Sequence, residues 1–275
     1  MSQLQRLVIA PSQFENQHIT LTSAQQHYLW RVLRLQEGDR FIAVDGTGRW
    51  LLSELTSSPD QARVLDELDG GTELPIAMTL MIAMPKQGMD DIVRCCTELG
   101  VTTIQPVVSD RTILKPSPQK VQRWQRIAEE AAEQSERRVV PQVIAPGAFS
   151  TIITQWAIAT PHPIESPVEH TFENTFTGER STRKGYVCVA RQDAPHLLHV
   201  LTQLTVTPST EVQNIILAVG PEGGWTPEEI EMAIAHGFQA VSLGQRILRA
   251  VTAPMVALSL VASVMECVGL PARSA

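Results

Sequence analysis

The chain has 275 residues, 43% of them hydrophobic, which is enough for one large domain or two ordinary domains with real cores. Its net charge of -7 argues against a protein that binds free nucleic acid through charge alone, because such proteins are usually strongly basic. The four cysteines lack zinc-site and redox-pair spacings, so we predict reduced, mostly buried thiols and no metal. No apolar run reaches the ~20 residues that a bilayer requires, and no signal peptide is recognised, so we expect a cytoplasmic protein without a membrane partner.

The N-terminal domain, residues 1–72, is predicted to be small and rich in β-strands. Ser23 is expected to cap a short helix that ends at Gly38, with four side chains facing inward: Tyr28, Leu29, Val32 and Leu33. Alternating apolar residues predict three strands, at 40–44, 49–55 and 62–68. Glycines and a proline in 69–75 indicate a linker to a second domain.

Residues 73–275 are predicted to form an α/β domain, because strand and helix patterns alternate. The first strands are expected at 76–84, 103–108 and 186–190, and the first helices at 89–99, 118–134 and 195–204. Residues 157–184 are irregular and polar, so we interpret them as a surface insertion. His196 and His199 are interpreted as surface histidines rather than metal ligands.

The stretch 215–229 is the strongest sign of a ligand site. Five apolar residues, 215–219, predict a strand buried on both faces, and the sequence Gly-Pro-Glu-Gly-Gly at 220–224 predicts a backbone bend. Thr226 and Glu229 have the spacing of a capping box that starts a helix. The pattern fits neither a P-loop nor G-x-G-x-x-G, and by itself it is equally typical of a tight strand-to-helix turn.

A second turn, 244–249, follows a predicted strand at 240–243 and precedes a predicted helix at 252–267. We expect the two glycine-bearing turns to leave neighbouring strands on the same side of a parallel sheet. The helix is apolar on most sides, so part of it is expected to be buried by a second subunit.

The two turns together resemble the RsmE family of the SPOUT methyltransferase superfamily. That family combines a GPEGG turn with an SLG-x-RILR turn about twenty residues later, and this chain has GPEGG at 220–224 and SLGQRILR at 242–249. Three further segments are similar to the family in the same order: YLWRVLRLQEGD at 28–39, the helix at 89–101, and the RW…EQS segment with the following arginine at 123–137.

The resemblance implies an α/β protein with a PUA-like RNA-binding β-barrel at 1–72 and a SPOUT domain at 73–275 that has a parallel sheet and a C-terminal trefoil knot. It implies methylation of N3 of one uridine in 16S ribosomal RNA, with S-adenosylmethionine as the cofactor. The expected partners are this RNA, in the small subunit or an assembly intermediate, and a second copy of the chain. The cofactor site and the dimer interface are expected near 215–268.

The resemblance also assigns site residues. The expected cofactor-binding residues are Leu217, Val219, Gly220, Pro221, Gly223, Gly224, Leu243, Gly244, Ile247, Leu248, Arg249 and Thr252. Arg249 is the first catalytic candidate and Arg246 the second, because a guanidinium stabilises negative charge that develops on a uridine; for Arg249 a dimer ion pair is the alternative. The expected RNA-binding residues are Arg31, Arg34, Arg111, Gln134 and Arg137, with plain surface placement as the alternative.

One departure from the family's sequence pattern bears on catalytic activity. After RILR the family usually reads Thr-Glu-Thr-Ala, whereas this chain has Ala250-Val251-Thr252-Ala253. The missing carboxylate leaves open a catalytically impaired SPOUT-like protein that binds RNA and retains cofactor. A third hypothesis is a nucleotide-binding enzyme whose glycine turn holds a phosphate.

Overall fold

The computed structural model describes residues 4–70, 72–112, 117–158, 182–204 and 212–269. These residues form two sheets, the first within 6–68 and the second within 77–242. No helix among the described residues is both long enough and apolar enough to cross a membrane.

The first sheet is mixed and has six strands: β1 (Arg6–Val8), β2 (Phe14–Glu15), β3 (His18–Thr20), β4 (Arg40–Val44), β5 (Trp50–Leu55) and β6 (Gln61–Leu68). Their order is β1-β4-β5-β6-β3-β2, with β1 parallel to β4 and the other pairs antiparallel. Burial alternates along β5, which packs one face on a core that includes Phe41 and Leu51. The three predicted strands are confirmed to within one residue.

The predicted N-terminal helix differs from the observed one. Helix α1 (Ser23–Gln26) is capped by Thr22, whose hydroxyl accepts a hydrogen bond from the Gln25 N–H, and not by Ser23. It continues as a π-helical turn, His27–Val32, and therefore stops well before Gly38. The wider winding buries Leu29 but leaves Val32 57% exposed, so the inward placement predicted from α-helical spacing is wrong for Val32.

The second sheet is parallel. Its strands are β7 (Ala77–Ala83), β8 (Thr103–Val108), β9 (Gln142–Val143), β10 (Gly147–Ala148), β11 (Thr182–Val189), β12 (Val212–Val219) and β13 (Phe238–Ser242). Their order is β10-β8-β7-β12-β11-β13, and β9 pairs with β8 outside this path. The sequence patterns did not predict β9 and β10, because two residues are too few to show an alternation.

Within the described residues, six helices accompany these strands: α2 (Met89–Glu98), α3 (Pro118–Gln134), α4 (Phe149–Gln155), α5 (Leu197–Thr202), α6 (Pro227–Ala235) and α7 (Thr252–Gly269). The predicted bounds of α3 are confirmed, and Gly100, at φ +91, follows α2 as expected. Helix α5 is shorter than predicted, since His196 is its N-cap. Helix α4 was not predicted.

The two faces of the parallel sheet pack against separate cores. Alternate β12 side chains, Ile215 and Leu217, enter the core that contains α2 and α7, while Ile216 and Ala218 enter the core that contains α4 and α6. All four are fully buried. The prediction of a strand buried on both faces is confirmed, and this burial fixes the end of β12 within the sheet.

Most of the predicted insertion at 157–184 lies outside the described residues. Its last three residues, 182–184, belong to β11, so the sheet resumes earlier than the predicted 186–190 strand.

A joint made by an ion pair and a hydrogen bond connects the first sheet to the end of α3 and the residues that follow it. The Arg6 guanidinium pairs with the Glu136 carboxylate at 2.8 Å. The Val8 N–H donates to the Glu133 carboxyl group at 2.5 Å. Burial is the main reason that the pKa of Glu133 rises to about 7.

Candidate cofactor and substrate cleft

Three loops meet where β11, β12 and β13 end at one edge of the sheet. Strand β11 lies between the other two and pairs with both. The prediction that β12 and β13 are direct neighbours is therefore wrong, because the crossover through α6 passes over an intervening strand. Their two turns still lie on the same side of the sheet, together with the loop after β11, and the three enclose a cavity of about 350 Å³.

The first turn, residues 220–224, packs its first residue, Gly220, closely against the indole of Trp225. A Cβ on Gly220 would lie 3.2 Å from the indole Nε1 of Trp225. That indole is buried and stacks on Phe149 with ring centroids 4.6 Å apart, so it has little room to move. Gly224 has a φ of +70, and its N–H donates to the Pro221 carbonyl at 2.8 Å.

Helix α6 begins as the sequence predicts. The Thr226 hydroxyl accepts from the Glu229 N–H, and the Glu229 carboxylate accepts from the Thr226 N–H, which completes the capping box. Glu229 is only 5% exposed, and its second oxygen accepts from the Asp110 N–H of the loop after β8 at 2.9 Å. The carboxylate therefore fastens the start of α6 to a neighbouring loop.

Two more contacts hold the first turn. Arg111 Nη1 donates to the Gly223 carbonyl at 2.5 Å. The Lys86 N–H donates to the Glu222 carboxylate at 2.9 Å, so Glu222 has a structural hydrogen bond. The turn is thereby attached to the loops after both β7 and β8.

The second turn, residues 243–250, is far more open. Gly244 has a φ of +114, and its N–H donates to the Ser242 hydroxyl at 3.1 Å. Arg246 is exposed, and Ile247 is 58% exposed. The exposed side chains of this turn are available to a substrate or a partner.

Most of the predicted cofactor residues line the cavity: Val219, Gly220, Pro221, Gly223, Gly224, Leu243, Gly244, Ile247 and Leu248. Leu217 does not, because its side chain is fully buried in the core two residues before the strand ends. Thr252 does not line it either. Its N–H donates to the Arg249 carbonyl at 2.9 Å in the first turn of α7, and its side chain is exposed.

The two predicted catalytic arginines differ in position. Arg246 lines the cavity, whereas Arg249 is exposed and lies outside its wall. Within one chain, Arg246 is thus the better placed of the two to reach a substrate in the cleft.

The predicted RNA-binding residues lie in three different environments. Arg31, Arg34 and Gln134 are exposed. Arg111 is on the cleft wall and is engaged with the first turn. Arg137 is only 3% exposed, donates to the Thr97 and Val101 carbonyls, and pairs with Glu73 at 2.7 Å. The RNA-binding prediction is wrong for Arg137, because its guanidinium is used inside the fold.

The loop after β11 forms a wall that sequence reasoning missed. The loop contributes Arg191 and Gln192, and Cys188 from the end of β11 lines the cavity beside them. Arg191 has a φ of +60, which is unusual for a residue with a side chain and is often found at functional sites. The polar run that follows a buried strand was the available signal. Burial raises the pKa of the Cys188 thiol to about 12, so this group is protonated rather than a thiolate nucleophile.

Val251, which stands where the family usually has glutamate, packs away from the cleft. A Cβ on Gly88, the N-cap of α2, would lie 2.7 Å from Val251 Cγ2. Val251 is partly buried against the core and is not part of the cavity wall. The departure therefore changes the packing between the starts of α2 and α7.

Family models match both parts of the chain. One described as an RNA methyltransferase domain matches residues 72–262, and one described as an RNA methyltransferase PUA domain matches residues 21–66. The chain is 45% identical over 263 residues to ribosomal RNA small subunit methyltransferase E of Synechocystis sp., covering 95% of this chain and 78% of that protein. It is 28% identical to the Bacillus subtilis protein of the same name, covering 87% and 88%.

Two solved structures share the fold of this chain over nearly its whole length. The ribosomal RNA small subunit methyltransferase E of Neisseria gonorrhoeae, bound to S-adenosyl methionine, matches with a TM-score of 0.74 and 27% identity over 97% of this chain and 98% of that one. A methyltransferase from Legionella pneumophila has the same fold, with a TM-score of 0.72 at 22% identity over 97% and 98%.

Proposed function

The chain belongs to the ribosomal RNA small subunit methyltransferase E family, and we propose that it methylates N3 of one uridine in 16S ribosomal RNA. It is an RNA methyltransferase that uses S-adenosylmethionine. The choice of uridine N3 is the finer part of the proposal. The cleft of about 350 Å³ carries the proposed methyl transfer, and the resemblance of its two glycine-bearing turns to this family supports uridine N3 as the acceptor.

The cleft fits S-adenosylmethionine in size and in chemistry. Its volume lies in the usual range for small-molecule sites. Val219, Leu243 and Leu248 supply apolar surface for an adenine ring, and Gly220 lets the turn pack closely on the Trp225 indole at the cleft wall. When bound, the cofactor supplies a methyl group already activated by its sulfonium. The residues then need to hold donor and acceptor in line.

We propose that Arg246 acts on the acceptor. Uridine N3 must give up its proton, which passes to water, and negative charge then develops on the neighbouring carbonyl oxygens. With cofactor bound, N3 would bond to the methyl carbon as the bond from that carbon to sulfur breaks. A guanidinium at the cleft wall stabilises that charge and orients the base through two N–H donors. Arg249, the first candidate from the sequence, is the alternative if a second subunit brings it to the cleft.

The partners follow from the same proposal. We propose a cytoplasmic enzyme that acts on the small subunit or an assembly intermediate, since the net charge of -7 favours recognition of a folded particle over general phosphate attraction. Exposed Arg31, Arg34 and Gln134 are candidate RNA contacts. We also propose a homodimer and a C-terminal trefoil knot. The partly buried apolar side chains Leu260 and Val264 of α7 support the dimer.

Transfer of labelled methyl from S-adenosylmethionine to small subunits that lack this modification tests the proposal. After digestion of the RNA to nucleosides, we expect the label in 3-methyluridine, at one position. Label in another nucleoside, or in the large subunit, would contradict it. Bound cofactor without transfer would favour the catalytically impaired alternative, for which Val251→Glu is the variant expected to restore activity.

A further inference from the structure

We propose that Arg111 is a positioning residue that locks the glycine turn into its cofactor-binding shape. This role deepens the proposed function and rests on it, and it replaces the RNA contact expected for Arg111 from the sequence. Arg111 lies in the loop after β8, and β7 separates β8 from β12 in the sheet. The Arg111 side chain extends along the wall of the cleft to the first turn.

The guanidinium contacts both carbonyls at the end of the turn. Arg111 Nη1 lies 2.5 Å from the Gly223 oxygen and 3.4 Å from the Trp225 oxygen. Its alkyl chain covers the glycine, because a Cβ on Gly223 would lie 3.0 Å from Arg111 Cδ. The side chain thus contacts the turn through both its charge and its methylene groups.

Each of these carbonyls belongs to a peptide plane whose N–H is also held. A peptide unit is planar, so fixing its oxygen fixes its N–H as well. The plane between Gly223 and Gly224 has its oxygen on Arg111 and its N–H on the Pro221 carbonyl, at 2.8 Å. The plane between Trp225 and Thr226 has its oxygen near Arg111 and its N–H on the Glu229 carboxylate, at 2.8 Å.

Glycine peptides otherwise flip easily, because glycine adopts positive and negative φ about equally. Without the guanidinium, both planes keep only the bond at the N–H end. The turn then samples other orientations, and cofactor binding must select the competent one, which lowers apparent affinity. The effect is expected on cofactor binding rather than on the chemical step.

The experiment compares Arg111→Ala, Arg111→Lys and a matched control, Arg123→Ala. Arg123 is an exposed arginine on α3 that makes an ion pair with Asp90 at 2.6 Å. Affinity for S-adenosylmethionine is measured by calorimetry without RNA, affinity for small subunits by filter binding, and kcat at saturating cofactor.

We expect Arg111→Ala to weaken cofactor binding by about tenfold, the usual effect of losing a charge-assisted hydrogen bond. Its kcat at saturating cofactor and its affinity for small subunits should stay within about twofold of the wild type. Arg111→Lys should restore part of the affinity, since an ammonium reaches one carbonyl but lacks the planar fork. Arg123→Ala should behave as the wild type in all three measurements.

Two results would overturn the inference. Unchanged cofactor affinity with weaker binding to small subunits would return Arg111 to the RNA contact expected from sequence, and no change in either affinity would make it a surface residue. A wild-type protein that binds no S-adenosylmethionine would overturn the proposed function itself, so the two failures are distinguishable.

Discussion

The two turns at the cleft differ in how firmly the fold holds them. The first turn is fixed by a buried carboxylate from α6, an arginine from the loop after β8 and a backbone amide after β7. The second turn presents exposed Gln245, Arg246 and Ile247, and the side chains of these three make no hydrogen bond in the described part of the chain. We infer that the first turn is preorganised for the cofactor and that the exposed side chains of the second turn act on the RNA, while its Leu243 and Leu248 share the cofactor cleft.

The largest effect should come from the open turn. Arg246→Ala is expected to lower kcat by about 100- to 1000-fold, as removal of a group that stabilises developing charge usually does. Cofactor affinity should change little, because the first turn and the apolar side chains Leu243 and Leu248 of the second turn are untouched. Single-turnover methyl transfer measures the rate, with Arg249→Ala as the comparison. A larger loss for Arg249→Ala would contradict the assignment and would indicate that Arg249 reaches the cleft from a second subunit.

Removing the buried carboxylate should loosen the fixed turn. Glu229→Ala leaves the Asp110 and Thr226 amides without their acceptor and is expected to lower the free energy of unfolding by about 2 to 3 kcal/mol. Weaker cofactor binding should accompany the loss. Chemical denaturation measures the free energy of unfolding, and Glu231→Ala is the matched control, because that side chain on the same helix is exposed. Equal stability of the two variants would show that the carboxylate does not fix the turn.

The pH dependence of stability tests the joint between the first sheet and α3, which lies outside the cleft. Glu133 there has a pKa raised from an ordinary 4.5 to about 7, mainly by burial. The folded chain therefore binds more protons than the unfolded chain between these values, and the free energy of unfolding should fall as pH rises through that window.

The expected loss is on the order of 1 to 2 kcal/mol after allowance for solvent screening. Denaturation at pH 5 and pH 7.5 measures it. Glu133→Gln should flatten the dependence, and a slope that survives this substitution would place its origin elsewhere.

The smallest effect should come from the loop after β11. Arg191→Gly relieves a positive φ and is expected to raise the free energy of unfolding by about 1 kcal/mol. If the side chain serves the substrate, methyl transfer should fall at the same time. A melting curve and an activity assay on one preparation measure both. Lower stability would mean that the side chain holds the loop.

Local features of this chain were predictable, and those that depend on strand order were not. The capping box of Thr226 and Glu229 needs only a spacing of three, and the bounds of α3 needed only the apolar periodicity. The position of β11 between β12 and β13 depends on the crossover path, which no local pattern records. The wall that contains Arg191 was missed for that reason.

The positions of individual side chains show the same difference between local and long-range features. Val219 and Leu217 share a face of β12, yet only Val219 is close enough to the strand end to line the cleft. Arg137 follows a helix as an exposed arginine would, but the linker carboxylate of Glu73 and two carbonyls draw it inside. Such pairings join residues far apart in sequence, so a single sequence does not predict them.

The division of roles between the two turns is tested most directly by calorimetric titration of S-adenosylmethionine in the absence of RNA. The proteins compared are the wild type, Gly220→Ala and Arg246→Ala. An added Cβ at Gly220 must displace the buried indole of Trp225, so cofactor affinity should fall by at least about tenfold. Arg246→Ala should bind as the wild type does. Equal weakening by both substitutions would contradict the account, because the Arg246 side chain would then bind the cofactor rather than act on the RNA.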